Sequence, residues 1–312
     1  MTLKSPNRPT LYFIGVTTSQ SSIMKVFPKW ADVLALDAQI VGYDAPLNAP
    51  PEAYETIVRH IKEVPLARGA LVTTHKIDLL SATQGLFDDL DPYAQLCHEV
   101  SCISKREASL IGHAKDPITS RLAWQAFVEP GYWGRTGGQV LCLGAGGAAV
   151  AITVAVAGFE NPADQPNQFI IVERDPKRLE HIQALHEKLD TPITFDYRLH
   201  ETAEQNDTLI AGLPTGSMVI NATGMGKDRP GSPITDQTTF PENGLVWELN
   251  YRGERQFLQQ AKQQEMARNL TIEDGWVYFL HGWSQIIAEV FDITLTPEIF
   301  AALDEAASAI KS

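Results

Sequence analysis

The sequence has few cysteines, a shortage of positive charge and no long apolar run. Its three cysteines, Cys97, Cys102 and Cys142, are an odd number without the paired spacing of a zinc site. This predicts reduced, buried thiols rather than a disulfide framework, and no metal site is predicted. Lys and Arg number 25 against 38 Asp and Glu, giving a formal net charge of -13. Nucleic acid and anionic membrane surfaces are therefore unfavourable partners.

The N-terminus has no apolar signal-peptide core, and no stretch is long enough to span a bilayer. We therefore expect a cytoplasmic protein. The 312 residues are enough for two domains, and 44% hydrophobic with 20% charged residues is typical of globular proteins. The expected partner is a small-molecule substrate, and the sequence neither requires nor excludes a homodimer.

Short apolar runs alternate with helical patterns in the first third of the chain. This alternation predicts right-handed βαβ units and a mainly parallel sheet, with ligands at the carboxyl ends of its strands. Strands are predicted over 10–16, 38–43, 69–73, 100–104 and 108–112, and helices from Ile23 and over 51–62.

A glycine-rich turn follows the apolar run 139–143 and leads into small apolar residues at helical spacing. Gly144 allows the sharp turn, Gly146 lets the backbone approach a pyrophosphate, and Ala149 lets the helix pack close to its strand. The next predicted strand, 168–172, ends at Glu173, near the spacing expected for a ribose-binding acid. This indicates a dinucleotide site, although a turn without any ligand remains the alternative.

The remaining pattern continues the α/β alternation to the end of the chain. A buried strand runs into the glycine-bearing loop Asn221 to Gly226. A further strand is predicted over 245–251, followed by helices over 257–268, 274–291 and 297–310.

Several motifs, in order along the chain, resemble the shikimate dehydrogenase family over nearly the whole sequence. They are a serine-bearing first turn, a Val-Thr strand end leading to Lys76, an aspartate (Asp116) after Gly112, the Gly-x-Gly-Gly-x-Ala turn, and Asn-Ala-Thr-Gly-Met-Gly. The resemblance implies a two-domain α/β fold. An N-terminal α/β substrate domain with a mainly parallel sheet would comprise 1–116 and the C-terminal helices from about 285 to 312. A C-terminal Rossmann NAD(P)-binding domain would comprise 117–284.

The resemblance also implies an oxidoreductase of the shikimate and quinate type, as in aromatic amino acid biosynthesis. It would transfer hydride between NADP or NAD and a cyclic hydroxy acid or a related alcohol or ketone. Lys76 and Asp116 would handle the proton, although a solvated lysine and a helix N-cap are the alternatives for these two residues. The expected substrate-binding residues are Ser21, Ile23, Thr73, Ser101, Tyr251 and Gln285. The expected cofactor-binding residues are Gly144, Ala145, Gly146, Gly147, Ala148, Glu173, Arg174, Asn221, Ala222, Thr223, Gly224, Met225 and Gly275.

The substrate side departs from the family pattern. Ile23 stands where a second carboxylate-binding serine is expected, with Ser22 in a shifted register as the alternative. Ser101 replaces an asparagine, and Gly282 replaces a glutamine, with Gln285 one helical turn further on. A site that lacks hydroxyl-binding amides cannot compensate for the desolvation of a polyhydroxylated ring. The predicted substrate is therefore not plain shikimate. A nucleotide-binding sensor with weak catalysis is the alternative function.

Two further choices stay open on sequence alone. His75, His113 and Lys115 are candidates for new polar contacts to the substrate, with a core or exposed position as the alternative. Glu173 favours NAD because a carboxylate repels a 2′-phosphate, whereas basic residues after it favour NADP. Those basic residues are Arg174, Lys177 and Arg178.

Overall fold

The structure, a computed structural model, describes residues 3–227 and 229–310. Within these ranges the strands are β1 Thr10–Gly15, β2 Gln39–Asp44, β3 Ala67–Val72, β4 Asp89–Leu90, β5 Cys102–Arg106, β6 Ser109–His113, β7 Val140–Leu143, β8 Gln168–Glu173, β9 Thr194–Leu199, β10 Met218–Asn221, β11 Leu245–Glu248 and β12 Thr271–Glu273. The α-helices are α1 Ile23–Val33, α2 Pro51–Glu63, α3 Lys76–Thr83, α4 Pro92–Cys97, α5 Asp116–Gln125, α6 Tyr132–Thr136, α7 Gly147–Ala157, α8 Pro176–His186, α9 Ala203–Ala211, α10 Gln256–Lys262, α11 Glu265–Arg268, α12 Trp276–Phe291 and α13 Pro297–Ser308.

The chain divides into two compact units, which confirms the predicted two-domain α/β class. Unit 1 contains residues 1–115 and 280–312, and unit 2 contains residues 116–279. The division falls inside α12, so the last part of this helix belongs to unit 1. No helix in the described ranges is long and apolar enough to cross a membrane.

Unit 1 is built on a six-stranded sheet in the order β2-β1-β3-β5-β6-β4. Strand β1 pairs in parallel with β2 and β3, whereas β5 runs antiparallel to β3 and β6. The sheet is therefore mixed, because the hairpin of β5 and β6 follows the two βαβ units. One face buries Ile14, Val72, Tyr54 and Ile57 in a single apolar cluster.

Unit 2 is built on a six-stranded parallel sheet in the order β12-β11-β10-β7-β8-β9. Strands β8 and β9 are added on one side of β7, and β10, β11 and β12 on the other side. Sheets of this kind bind ligands at this switch point, beyond the carboxyl ends of the strands. Helix α7 follows β7 and is buried from Ala149 to Ala157. A helix that is apolar on all sides belongs in a core, which explains its Ala- and Val-rich sequence.

One predicted helix differs in the structure. The pattern over 257–268 forms two helices, α10 and α11, with Gln263 and Gln264 between them. The Gln264 side chain accepts a hydrogen bond from the Phe240 N–H and donates one to the Thr238 carbonyl. Because these contacts tie Gln264 to a loop distant in sequence, the predicted single helix is interrupted at this residue.

Candidate functional site

The glycine turn of unit 2 follows β7 and has the backbone geometry that a dinucleotide requires. Gly144 has φ +105°, and a Cβ there would lie 2.8 Å from the Ala222 carbonyl oxygen, so only glycine fits without strain. At Gly146 and Gly147, a Cβ would meet nothing within 4 Å. The turn is therefore tight on the sheet side and open on its outer side.

Helix α7 begins directly at this open side. Gly146 is its N-cap, and no side chain caps it. The first N–H groups of a helix have no intrahelical partner and carry the positive end of the helix dipole. Ala149 is fully buried, as expected for the position where the helix packs against its strand. The residues present fit a pyrophosphate.

Glu173 ends β8 beside the turn and contacts backbone N–H groups. One carboxylate oxygen accepts hydrogen bonds from Arg174 N at 2.7 Å and Asp175 N at 3.3 Å. The other accepts from Ala145 N at 3.1 Å and lies 3.7 Å from the Arg178 guanidinium. The carboxylate thus joins the glycine turn to the loop that follows β8.

A pocket of about 180 Å³ opens next to these loops, entirely within unit 2. It brings together six of the predicted cofactor residues: Gly144, Glu173, Arg174, Ala222, Thr223 and Met225. Three arginines, Arg174, Arg178 and Arg229, also line the pocket. Guanidinium groups bind phosphate with charge-assisted hydrogen bonds, and the three arginines outnumber the two carboxylates of the lining, Glu173 and Glu201, so the pocket suits an anionic ligand.

The loop after β10 is held by its first residue, Asn221. The Asn221 side-chain oxygen accepts hydrogen bonds from the Thr223 hydroxyl at 2.7 Å and the Thr223 N–H at 3.2 Å. The Thr223 hydroxyl in turn accepts from Met225 N, and Gly224 has φ +73°, which favours glycine. The sequence identified this loop, and the structure gives the hydrogen bonds that fix its shape.

Glu248, at the end of β11, anchors the same loop and was not predicted from the sequence. It is fully buried and accepts hydrogen bonds from Asn221 Nδ2 at 2.9 Å and Asn250 Nδ2 at 2.7 Å. Both amides also donate to the Met225 carbonyl. Burial raises the pKa of Glu248 to about 7, while the hydrogen bonds from Asn250 and Asn221 act against this rise.

Gly275 and Tyr251 follow neighbouring strands of unit 2. A Cβ at Gly275 would lie 2.0 Å from the Leu249 carbonyl oxygen, so close backbone packing requires this glycine. The Tyr251 ring packs 4.5 Å from the Phe279 ring and 6.4 Å from the Trp276 ring. These contacts give Tyr251 a packing role, and its predicted substrate contact stays a prediction.

The carboxyl ends of β1 and β3 meet at one edge of the sheet in unit 1. A Cβ at Gly15 would lie 2.9 Å from Thr73 Oγ1, which shows how closely the two strand ends approach. Val72 N donates to the Ser101 carbonyl, so Ser101 lies at this edge as well. The structure therefore brings Thr73 and Ser101 together, and Lys76 follows them as the first residue of α3.

Lys76 forms an ion pair with Glu99, a residue that the sequence analysis missed. Lys76 Nζ lies 3.9 Å from Glu99 Oε1, and the two side chains are 19% and 9% exposed. A buried carboxylate is stable only with hydrogen bonds or an opposite charge, and Lys76 supplies that charge. In the sequence, the available signal for this residue was that Glu99 is an isolated acid directly before a predicted apolar strand. Asp116, the other predicted catalytic residue, begins α5 as the first residue of unit 2.

The side chains of three other candidates for substrate contacts form hydrogen bonds or ion pairs within the protein. The buried His75 ring contacts the Tyr54 hydroxyl at 3.0 Å and the Ala45 carbonyl at 3.0 Å. Lys115 Nζ lies 2.7 Å from Glu289, and Lys115 N donates to the Ser101 hydroxyl. His113 contacts the Ser104 hydroxyl at 2.8 Å. These contacts support the core interpretation for all three residues.

The remaining predicted substrate residues lie in different settings. Ile23 is fully buried at the start of α1, so its side chain offers no surface to a polar ligand, and its predicted substrate contact is not supported. Ser21 is half-buried in the preceding turn. Gln285 is half-buried on α12, within the part that belongs to unit 1.

Comparison with known proteins repeatedly finds similarity to shikimate dehydrogenases. The chain matches no protein-family model. It is 29% identical over 181 residues to the shikimate dehydrogenase (NADP(+)) of Streptococcus thermophilus, covering 57% of this chain and 59% of the relative. The match thus spans less than two thirds of that relative. The shikimate dehydrogenase (NADP(+)) of Paramagnetospirillum magneticum is 24% identical over 270 residues, covering 86% of this chain and 87% of that protein.

Solved structures are similar over almost the full length. Shikimate 5-dehydrogenase from Thermus thermophilus, in complex with NADP(H) and shikimate, has a TM-score of 0.70 and 21% identity, and covers 96% of this chain and 99% of that one. Ligand-free 5-ketofructose reductase of a Gluconobacter species has a TM-score of 0.71 and 21% identity, and covers 97% of this chain and 99% of that one. At this identity the likeness shows the fold.

The fold and the glycine turn define a two-domain α/β protein whose second unit has the doubly wound parallel sheet of Rossmann domains. Its sequence is similar to shikimate dehydrogenases, the resemblance that its motifs predicted.

Proposed function

We propose that the protein is an NAD(P)-dependent oxidoreductase that interconverts a hydroxyl and a ketone on a small substrate. Unit 1 would be the substrate domain, and unit 2 would bind the dinucleotide. The substrate would be a cyclic hydroxy acid or a related alcohol or ketone other than plain shikimate. The observation that carries the proposal is the open glycine turn at the start of α7, next to a pocket with three arginines.

The residues that would hold the dinucleotide all belong to unit 2. The N–H groups at the start of α7 would face the pyrophosphate, and the Asn221 loop would lie beside the nicotinamide, as in the family it resembles. When bound, the dinucleotide would supply or accept the hydride. The contribution of this chain is to orient it and to manage the proton.

We expect NADP to bind more tightly than NAD. Arg174, Arg178 and Arg229 line the pocket beside Glu173 and suit a 2′-phosphate. Glu173 is engaged with the N–H groups of Ala145 and Arg174, which leaves it less available to a ribose hydroxyl. Both relatives described above are named as NADP(+) enzymes.

Lys76 is proposed as the proton donor for ketone reduction. An ammonium hydrogen bond to the carbonyl oxygen stabilises the developing alkoxide, and transfer of a proton from Nζ then gives the alcohol. In the oxidative direction the neutral amine accepts the hydroxyl proton. Asp116 is proposed as the carboxylate that orients this lysine, a role carried over from the family resemblance.

Two observations support a substrate other than plain shikimate. Ile23 is buried where the family has a serine, and the Ser101 hydroxyl already accepts the Lys115 N–H. The similar structure named 5-ketofructose reductase adds small ketoses to the candidates. The same observations favour the second candidate function, a sensor that binds nucleotide and ligand with weak catalysis.

A screen for dinucleotide oxidation and reduction tests the proposal. Purified protein is incubated with NADP(H) or NAD(H) and with shikimate, quinate, their amino-substituted analogues and small ketoses, while absorbance of the reduced dinucleotide is followed. Turnover of at least one compound that exceeds turnover of shikimate is expected. Efficient turnover of shikimate with low KM contradicts the altered specificity, and silence with intact dinucleotide binding favours the sensor.

A further inference from the structure

The ion pair of Lys76 and Glu99 changes the electrostatics of the sheet edge where the substrate is proposed to bind. Glu99 directly precedes the strand pair at that edge, and Lys76 begins the helix next to it. The Nζ to Oε1 distance is 3.9 Å, and both side chains are largely withdrawn from solvent. At this separation, away from water, the negative charge of Glu99 offsets most of the attraction that Lys76 exerts on an anion.

The second lysine of this edge is offset in the same way. Lys115 Nζ lies 2.7 Å from Glu289, with side chains 12% and 24% exposed. Glu289 also contacts Arg106 at 3.2 Å, and Arg106 in turn lies 3.6 Å from Asp292, so two carboxylates face these two cations. The lysines at this edge therefore bring little net positive charge that could offset the desolvation of a substrate carboxylate.

The remaining polar groups at the edge suit neutral ligands. Ser21 and Thr73 carry hydroxyls, which hydrogen-bond to alcohols and ketones without any charge. The buried, apolar Ile23 removes a hydroxyl from the position where the resemblance expects a carboxylate contact.

We propose that Glu99 is a specificity-determining residue that pairs with Lys76 and adapts the site to uncharged substrates bearing hydroxyl and keto groups. The inference rests on the proposed function and narrows its substrate class. Glu99 acts on the substrate through Lys76 and through its own charge.

The test measures binding, so it does not depend on turnover. Shikimate and its methyl ester differ in one charge, and the Kd of each for the NADP-loaded protein is measured by titration calorimetry at pH 7.5. The ester is expected to bind at least tenfold more tightly than the acid. In Glu99→Gln this ratio is expected to fall about tenfold, because the acid no longer faces the second carboxylate. Glu63→Gln, an exposed change of equal charge in the same unit, is the control and keeps the wild-type ratio.

A second measurement tests the ion pair itself. The rate at which Lys76 is acylated at pH 8, relative to Lys62 in the same sample, is followed by mass spectrometry of the holoprotein. Loss of the carboxylate favours the neutral amine, so Glu99→Gln is expected to raise the relative rate severalfold.

Equal or tighter binding of the acid by the wild type overturns the inference, as does an unchanged ratio or an unchanged acylation rate in Glu99→Gln. Failure of both probes to bind overturns it as well. Absence of hydride transfer to any substrate, with the expected Kd ratio, overturns the proposed function alone.

Discussion

Glu248 offers a direct test of the buried contacts that anchor the loop after β10. The residue is fully buried, and its carboxylate accepts hydrogen bonds from Asn221 and Asn250. Burial raises its pKa from 4.5 to about 7. At about 1.4 kcal/mol for each pH unit, this difference corresponds to about 3 kcal/mol of folding free energy.

The sign of the pH dependence of stability follows from the protons that the folded and unfolded states bind. Between pH 4.5 and 7 the folded state keeps the proton on Glu248 while the unfolded state loses it. The contribution is fully present below pH 4.5 and is lost as the pH rises through 7. Two histidines, His186 and His281, act in the opposite sense, because burial lowers their pKa to about 4. Only a comparison with a variant isolates Glu248.

The assay is urea unfolding of the wild type and Glu248→Gln at pH 5 and pH 8, followed by fluorescence and circular dichroism. Glutamine has no titratable proton. From pH 5 to pH 8 the wild type is expected to lose about 2–3 kcal/mol more stability than the variant. Glu180→Gln, an exposed change on α8, is expected to behave like the wild type. Parallel pH profiles for the wild type and Glu248→Gln, within about 1 kcal/mol, refute the reasoning.

Three further predictions concern the proposed site, the last of them made with a pair of glycine variants. Lys76→Ala removes the proposed proton donor, so kcat is expected to fall at least about 100-fold with unchanged dinucleotide Kd, as measured by steady-state kinetics and calorimetry. Arg174→Gln removes a proposed contact to the 2′-phosphate and is expected to weaken NADP binding about tenfold, with little effect on NAD, by fluorescence titration. Gly144→Ala forces a Cβ against the Ala222 backbone at positive φ and is expected to destabilise the protein by about 1–3 kcal/mol in thermal unfolding. Gly146→Ala, where a Cβ meets nothing, is expected to keep stability but lose dinucleotide affinity.

Each of these predictions has a matched control. Lys62→Ala breaks a different ion pair of unit 1 and is the control for Lys76→Ala. If kcat falls as far in Lys62→Ala as in Lys76→Ala, Lys76 has no special part in the proposed chemistry. Arg198→Gln changes an exposed arginine on β9, and an equal loss of NADP affinity there would point to general electrostatics rather than a phosphate contact. Equal stability of the two glycine variants would contradict the close approach at Gly144.

Local sequence patterns were sufficient to predict much of unit 2. The turn at Gly144 and the loop from Asn221 are set by backbone conformation and by hydrogen bonds between near neighbours, so both leave a mark in a short stretch of residues. The alternation of apolar runs and helices in the first third of the chain predicted a mainly parallel sheet, and three of the five strand pairings in the sheet of unit 1 are parallel.

Contacts between distant residues could not be predicted in the same way. Lys76 begins α3 and Glu99 follows α4, with β4 between these helices in the chain, and Glu248 meets Asn221 only because β10 and β11 are neighbours in the sheet. The engagement of His75 depends on Tyr54 of α2. Each of these requires the tertiary fold, which no periodicity in the sequence encodes.

The first unit is assembled from both ends of the chain, and this has a consequence for biosynthesis. The indole N–H of Trp30 donates to the Leu303 carbonyl at 2.7 Å, and α1 packs against α13. A ribosome releases α1 long before it has made its covering helix, whereas residues 116–279 emerge as one contiguous stretch. The unit that is translated second is therefore expected to mature before the one that is translated first.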